Sequence, residues 1–250
     1  MNFNKFYTFI FDLDGTIWSW NNLHPGAKEI IEKLQKLRKQ IIFITNNTLL
    51  SRTKLLEKIK NFGIEVEKHQ LITSGFVAAQ YLFRRGAKVL AFGDGVKEDL
   101  REGGIELTES SDCQFLVIGY DKEFNLNSLS LAKEALEKGA RFLATSKDKL
   151  WLCDNEILPG TGTIVSLVER FCRKKAKILG KPSDIFGKVL WSFVTASTDK
   201  VVLIGDNSRT DIPLGKVFGF HTILVLTGID KKPGKIKPDL VINSIAEIQI

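Results

Sequence analysis

Short apolar runs rich in isoleucine, valine and phenylalanine recur along the chain, and amphipathic segments separate most of them. After the first run, for example, Ile30, Ile31 and Leu34 share one face of a helix because their spacing follows the helical period. Strands that are apolar on both faces and alternate with helices form a parallel sheet covered by helices. The pattern therefore predicts an α/β fold. The predicted strands are residues 6–11, 41–45, 88–92, 114–120, 141–146, 200–205, 222–227 and 240–243.

The spacing of the runs indicates two domains. A β-α-β unit takes about 30 residues or more, and the interval between the first two strands fits one such unit. The interval 46–180 is much longer and contains three strand-like runs with helices between them, which is more than a crossover requires. We therefore predict a core domain formed by residues 1–73 and 177–250, with a second α/β domain inserted at 74–176.

Composition limits the class of protein. A chain of 250 residues with 44% hydrophobic content can build substantial cores, and its formal charge of +7 is scattered rather than gathered in one block. A solvated surface is thus favoured over a nucleic-acid interface. The three cysteines are odd in number and widely spaced, which favours a reducing compartment. With neither a signal-peptide cleavage site nor a spanning stretch of ~18 apolar residues, we expect a cytoplasmic protein that binds no membrane.

Two aspartates, Asp12 and Asp14, end the first apolar run. Asp-Gly is a common turn pair, but two carboxylates at the end of a buried strand repel each other and lose hydration unless a cation offsets them. Asp206 and Asp211 follow another predicted strand, and ligands bind at such strand ends in open sheets. An EF-hand is excluded because a strand precedes the acids. The four aspartates predict a Mg²⁺ site.

Two further strand ends complete a predicted phosphate site. Thr45 and Asn46 offer a hydroxyl and backbone N–H groups in a strand-to-helix turn, an arrangement that suits an anion. Lys181 follows a weaker run at 177–180 and adds a compact positive charge at a helix start. A threonine here often caps a helix and a lone lysine is usually solvated. Their occurrence together at strand ends nevertheless favours phosphate binding.

The repulsion between a carboxylate and a phosphate group suggests a reaction for these residues. A carboxylate about 4 Å from a phosphate charge faces roughly 4 kcal/mol of repulsion per pair of unit charges at an effective dielectric near 20. A divalent metal and Lys181 would remove that repulsion. Asp12 could then attack phosphorus and form an aspartyl-phosphate, while Asp14 donates a proton to the leaving oxygen and later accepts one from water.

These loops resemble the motifs of the haloacid dehalogenase superfamily of phosphatases: DLDGT, a threonine ending the second strand, a lysine, and GDxxxxD. Further segments are similar to the NagD and 4-nitrophenylphosphatase-like group, and together they cover nearly the whole chain. They are TNN (45–47), TSG (73–75), GYDKEFN (119–125), ARFLATSKD (140–148), LPGTGTIV (158–165), LGKPS (179–183), GDNSRTDI (205–212) and LVLTGI (224–229).

The resemblance implies a Rossmann-like core with an inserted C2-type cap, and it assigns roles to single residues. Asp12 is the implied nucleophile, and Asp14 the acid/base that also binds Mg²⁺ through its backbone carbonyl. Thr45 and Lys181 hold the phosphoryl group. Asp206 is an implied metal ligand, whereas for Asp211 direct binding and indirect support both stay open.

One segment departs from the family pattern. Members often have ATNPD where this chain has ATSKD, at a cap position that faces the substrate in the family. Lys147, Asp148 and Trp151 are the candidates for cap contacts with the leaving group, although packing inside the cap is the more common role for such a tryptophan.

The sequence therefore predicts hydrolysis of small phosphomonoesters and a phosphorylated metabolite as partner, without naming that metabolite. A phosphotransferase would use the same residues, and so would a receiver-like signalling protein that keeps its phospho-aspartate. A non-catalytic binding protein is disfavoured because both candidate catalytic acids are present. Whether the protein forms a homodimer stays open.

Overall fold

The computed structural model describes residues 3–83, 85–154 and 156–250. The strands are β1 (Thr8–Asp12), β2 (Trp18–Ser19), β3 (Asn22–Leu23), β4 (Gln40–Thr45), β5 (Leu71–Thr73), β6 (Val89–Phe92), β7 (Leu107–Thr108), β8 (Phe115–Ile118), β9 (Arg141–Ala144), β10 (Leu150–Cys153), β11 (Glu156–Pro159), β12 (Lys177–Ile178), β13 (Val201–Gly205), β14 (His221–Val225) and β15 (Leu240–Ile242). The helices are α1 (Ala27–Lys36), α2 (Arg52–Asn61), α3 (Ser74–Leu82), α4 (Asp94–Glu102), α5 (Leu126–Glu137), α6 (Thr161–Cys172), α7 (Asp184–Trp191) and α8 (Asp211–Val217). Short 3₁₀ turns cover Phe3–Lys5, Lys68–Gln70, Thr198–Lys200 and Ile245–Glu247.

A six-stranded parallel sheet carries the first and last parts of the chain, in the order β15-β14-β13-β1-β4-β5. Every residue of β1 and β13 is buried, as expected for central strands covered by helices on both faces. Phe9 and Phe11 face one apolar cluster and Ile10 faces another, because successive side chains of a strand point to opposite faces. This sheet confirms the predicted α/β fold with a Rossmann-like core.

A second parallel sheet, in the order β12-β9-β8-β6-β7, is built from the segment between β5 and β13. Helices α5 and α6 cover one face of it, where Leu116 and Ile118 pack with Leu136 and Val165. The division into residues 74–176 and a core stays a prediction. Helix α3, which opens that range, packs in the same apolar cluster as residues of the first sheet.

The weaker run at 177–180 forms a shorter strand in the structure than its sequence indicates. Only Lys177 and Ile178 form a strand, and they pair with β9 at the edge of the second sheet. Lys177 is exposed and the residues before it are basic, so this segment has too few apolar side chains for a central strand, and an edge position suits it. Leu179 then enters the core and carries the chain back toward the first sheet.

Two short hairpins were not predicted from the apolar pattern. Strands β2 and β3 form one, and β10 and β11 form the other. Asp154, at the tip of the second hairpin, accepts hydrogen bonds from the backbone N–H and the side-chain amide of Asn21, at 3.1 and 2.9 Å. Ser19 donates to the backbone carbonyl of Asp154 at 2.7 Å. The hairpins therefore join across the gap between the two sheets.

None of the helices in the described ranges combines the length and apolar character that crossing a membrane requires. The three cysteines, Cys113, Cys153 and Cys172, carry free thiols.

A buried carboxylate, Asp99 of α4, links three other elements. It accepts hydrogen bonds from the backbone N–H of Arg52 at 2.6 Å and from the hydroxyl of Thr73 at 3.1 Å. Gly75 lies so close that a Cβ there would fall 2.1 Å from an Asp99 oxygen. Burial raises the pKa of Asp99 to about 7, because the hydrogen bonds and the charge of Arg52 only partly offset the loss of hydration and the repulsion from Glu102.

We expect Asp99 to make folding less favourable as the pH rises. The folded protein binds a proton at Asp99 more tightly than the unfolded chain, so the contribution is complete below about pH 4 and is lost as the pH passes about 7, in total on the order of 2–4 kcal/mol. Substitution Asp99→Asn should reduce this loss, measured as the free energy of urea unfolding at pH 5 and pH 8. Asp94→Asn, at an exposed position of the same helix, is the control. Equal pH dependence in wild type and Asp99→Asn would contradict the expectation.

Candidate active site

Asp12 ends the central strand β1 and lies between the ends of β4 and β13. Because these strands are parallel, the loops that follow them meet at one edge of the sheet, as the sequence analysis expected. Asp12 is only 5% exposed, so its carboxylate depends on protein groups for compensation.

The ammonium group of Lys181 supplies that compensation. Its Nζ lies 2.5 Å from Oδ1 of Asp12 and 2.6 Å from Oδ1 of Asp211. The lysine is 3% exposed, and Asn46 fixes its backbone: the Lys181 N–H donates to Asn46 Oδ1 at 2.7 Å, and Asn46 Nδ2 donates to the Lys181 carbonyl at 3.1 Å. The sequence placed Lys181 at a helix start, and Ser183 indeed caps α7.

Three buried carboxylates surround this ammonium. Asp12, Asp206 and Asp211 each offer an oxygen, and these oxygens lie within 4.8 Å of one another. Burial raises the pKa of Asp12 well above its usual range against the attraction of Lys181, and it raises that of Asp211. Burial and the charge of Asp211 raise the pKa of Asp206 to about 7. One ammonium cannot offset three carboxylates, and the excess of oxygen ligands fits a hard divalent cation such as Mg²⁺.

Lys181 itself keeps its charge. Burial alone would lower its pKa, but the attraction and hydrogen bonds of Asp12 and Asp211 outweigh that effect and raise the pKa above the usual lysine range. A permanent positive charge therefore lies at the end of β1.

Close backbone approach fixes the position of Asp206. The N–H of Ile229 donates to its Oδ2 at 2.6 Å, and a Cβ on Gly228 would fall 1.8 Å from the same oxygen. Gly15, with φ of 86°, also lies close, since a Cβ there would fall 2.5 Å from the same Asp206 oxygen. Glycine at both positions leaves room for the carboxylate. The segment around Gly228 resembles the family, but its sequence alone assigns no role to this glycine. The close contact between Gly228 and Asp206 depends on tertiary structure.

Asp14 is oriented differently from Asp12. Its Oδ1 accepts a hydrogen bond from the indole N–H of Trp18 at 2.9 Å, and its Oδ2 accepts from Asn47 Nδ2 at 3.1 Å and from the Thr45 hydroxyl at 3.4 Å. Its side chain thus points to three donors rather than to the buried acidic group. Trp18 is a positioning partner that the sequence analysis did not identify, although it lies four residues after Asp14.

Thr45 is buried at the end of β4, and its hydroxyl also accepts a hydrogen bond from the N–H of Asn47 at 2.9 Å. The amide of Asn46 is occupied by two links, to the Lys181 backbone and to Asp148 Oδ2 at 2.8 Å. Asn46 follows β4 of the first sheet and therefore links that sheet to Asp148, near the second sheet. The sequence predicted a phosphate contact for Asn46 but not this link.

All seven predicted site residues line one cavity between the two sheets: Asp12, Asp14, Thr45, Asn46, Lys181, Asp206 and Asp211. Of the three candidates for cap contacts, Asp148 and Trp151 also line it. Lys147 is not among the lining residues, and its ammonium pairs with Glu169 at 3.2 Å. Tyr120 lines the cavity without having been predicted from its own residue type.

Comparison with known proteins agrees with this arrangement. A family described as "Haloacid dehalogenase-like hydrolase" matches residues 9–106, and a second family, described as HAD-hydrolase-like, matches residues 178–248. The "Sugar-phosphatase AraL" of Bacillus subtilis (strain 168) is 30% identical over 246 residues, which cover 96% of this chain and 90% of that protein. The chain belongs to the haloacid dehalogenase-like hydrolases.

Solved structures of the haloacid dehalogenase-like hydrolases extend the match to the whole fold. The p-nitrophenyl phosphatase from Archaeoglobus fulgidus superposes with a TM-score of 0.87 at 30% identity, covering 96% of this chain and 97% of that one. NagD from E. coli K-12 superposes with a TM-score of 0.86 at 26% identity and 98% coverage of both chains. These likenesses confirm the resemblance to the NagD-like phosphatases.

Replacing the buried cation should destabilise this haloacid dehalogenase-like hydrolase in the absence of metal. Lys181→Met leaves two contacting carboxylates without their partner, and breaking a buried ion pair costs about 3–5 kcal/mol. Lys188→Met is the matched control, because Lys188 pairs with Asp184 at 2.6 Å on the exposed surface, where such a change stays within about 0.5 kcal/mol. Urea unfolding in EDTA measures both. Similar small losses for the two variants would contradict the role given to Lys181.

Proposed function

We propose that the protein is a Mg²⁺-dependent phosphatase that hydrolyses small phosphomonoesters through an aspartyl-phosphate on Asp12. The observation that carries the proposal is the contact between the buried Asp12 and Lys181 at a cavity that Thr45 and Asp14 also line. A carboxylate that is held beside a fixed positive charge, and that is open to a ligand cavity, is suited to attack a phosphoryl group.

The donor set fits the metal that the family implies. Asp12, Asp206 and Asp211 would hold Mg²⁺, with the backbone carbonyl of Asp14 as the contact that the resemblance adds. When bound, the ion supplies positive charge that offsets the repulsion between the phosphoryl oxygens and the carboxylates.

The protein's own groups divide the remaining work. An oxygen of Asp12 attacks phosphorus, and the bond between phosphorus and the ester oxygen breaks. Lys181 and the Thr45 hydroxyl bind phosphoryl oxygens and orient the group for this attack. Asp14 donates a proton to the departing oxygen, and it then takes a proton from the water that attacks phosphorus, which breaks the bond to the Asp12 oxygen and releases phosphate. The hydrogen bond from Trp18 keeps the carboxyl of Asp14 oriented for both transfers.

Substitution Asp12→Asn should abolish turnover, because the amide is a far weaker nucleophile. We expect the kcat for 4-nitrophenyl phosphate to fall on the order of 10³-fold or more. The exposed Asp199, which lies before β13 and bonds to Ser197, provides the control: Asp199→Asn should retain the wild-type rate. More than a few per cent of the wild-type kcat in Asp12→Asn would refute the nucleophile assignment.

Products distinguish hydrolysis from its alternatives. The proposal expects one free phosphate for each 4-nitrophenol released. A phosphorylated acceptor in place of free phosphate would favour a phosphotransferase. A phosphoprotein that persists long after the ester is consumed would instead favour a receiver-like signalling role.

Binding of Mg²⁺ should raise the thermal stability of the protein independently of any turnover. A ligand that binds only the folded state stabilises it by about 2.7 kcal/mol at a hundredfold excess over its dissociation constant. We expect millimolar Mg²⁺ to raise the Tm of wild type relative to EDTA. The rise should be smaller in Asp206→Asn and should persist in Asp199→Asn, both followed by calorimetry. Equal shifts in all three proteins would argue against a metal site at Asp206.

A further inference from the structure

An apolar wall lines the part of the cavity contributed by the segment between β5 and β13. It consists of Tyr120, Leu150, Trp151 and Leu152. Three of these four residues come from strand β10 of the second hairpin. The ring of Trp151 packs edge-to-face against Tyr120, with centroids 5.6 Å apart, and edge-to-face against Trp20, with centroids 5.0 Å apart. A substrate's leaving group that extends from the phosphoryl site toward this side meets aromatic and aliphatic surface.

Contacts with the first hairpin hold the wall in place. Asp154, directly after β10, receives the hydrogen bonds from Asn21 and Ser19 described above. Trp20, which lies in the first hairpin with Ser19 and Asn21, packs against Trp151 of the second hairpin. The ammonium of Lys58 lies 3.2 Å from the centroid of the Trp20 ring. Hydrogen bonds and ring packing from the first hairpin therefore hold the wall in place.

Most of the ionisable residues that line the cavity are acidic. Among the described residues that line it, five are aspartates and Lys181 is the single cation, which Asp12 and Asp211 already contact. The aspartate nearest the wall in sequence is Asp148, whose Oδ2 accepts from Asn46 and from the Ser146 hydroxyl, each at 2.8 Å. Neither of these partners carries a charge.

Two lysines near the wall face other groups. Lys147 pairs with Glu169 at 3.2 Å, and Lys58 packs over the ring of Trp20. Neither lysine lines the cavity, and the same holds for Lys149, which directly precedes Leu150, and for Lys122. A second anionic group on the substrate that extends toward the wall would thus leave water for apolar surface and the carboxylate of Asp148, and the described lining residues offer it no lysine or arginine other than Lys181.

We propose that the apolar wall makes this enzyme selective for phosphomonoesters with an uncharged leaving group, and that it rejects esters that carry a carboxylate next to the phosphoryl group. This inference rests on the proposed phosphatase function. The favoured leaving groups have an apolar or aromatic face, since such a face gains from contact with Trp151 and Tyr120.

Three phosphate esters test the inference: phenyl phosphate, 2-hydroxyethyl phosphate and 2-phosphoglycolate. The last two match in size and differ mainly in a neutral hydroxymethyl group against a carboxylate. We expect kcat/KM for 2-phosphoglycolate to be at least tenfold below that for 2-hydroxyethyl phosphate, and kcat/KM for phenyl phosphate to be the highest of the three. Equal or higher kcat/KM for 2-phosphoglycolate would overturn the inference while leaving the proposed phosphatase function intact.

A variant then tests the wall itself. Leu150 is 54% exposed and tolerates a longer side chain, so Leu150→Arg adds a cation to the wall. It should raise the ratio of kcat/KM for 2-phosphoglycolate over 2-hydroxyethyl phosphate at least fivefold, whereas the neutral Leu150→Met should leave that ratio near the wild-type value. The same change at Leu152 provides a second position should Leu150→Arg fold poorly. An unchanged ratio in both arginine variants would refute the role of the wall. Absence of hydrolysis of all three esters would overturn the proposed function, and this inference with it.

Discussion

A buried ammonium between two carboxylates organises this protein. Lys181 contacts Asp12 at the end of β1 and Asp211 at the start of α8, so one side chain holds together three loops that are distant in sequence. In water such a pair would stabilise little, but here its loss would leave buried charge without compensation. The same arrangement keeps Asp12, which we propose as the nucleophile, beside a cation, so the stability of the loops and the proposed reaction depend on one set of contacts.

This interaction lies where the chain passes from the second sheet to the first. The chain leaves the second sheet at β12, and three residues later it delivers Lys181 to the edge of the first sheet. The side chain of Asn46 forms hydrogen bonds with both the backbone of Lys181 and the carboxylate of Asp148. The cavity is therefore composite: Asp12, Thr45 and Asp206 follow or end strands of the first sheet, whereas Tyr120 and residues 150–152 belong to the segment between β5 and β13.

The sequence predicted the parts of the fold and site that depend on local pattern. Apolar runs ending in Asp12, Thr45 and Asp206 were identified because buried parallel strands leave a clear signal and their carboxyl ends converge. Features that depend on contacts between distant segments were not predictable in this way. Strand β12 is too short to show its partner, the hairpin β10–β11 is half exposed, and the need for glycine at position 228 follows only from its approach to Asp206.

The joined hairpins have a consequence for how ligands enter and leave. Trp20 of the first hairpin and Trp151 of the second hairpin pack edge-to-face. The hydrogen bonds from Asn21 to Asp154 join the same two hairpins. A motion that separated the two hairpins would part the two indole rings and expose both of them to water. Since indole emission depends on its surroundings, the fluorescence of these two tryptophans should report the contact between the two hairpins.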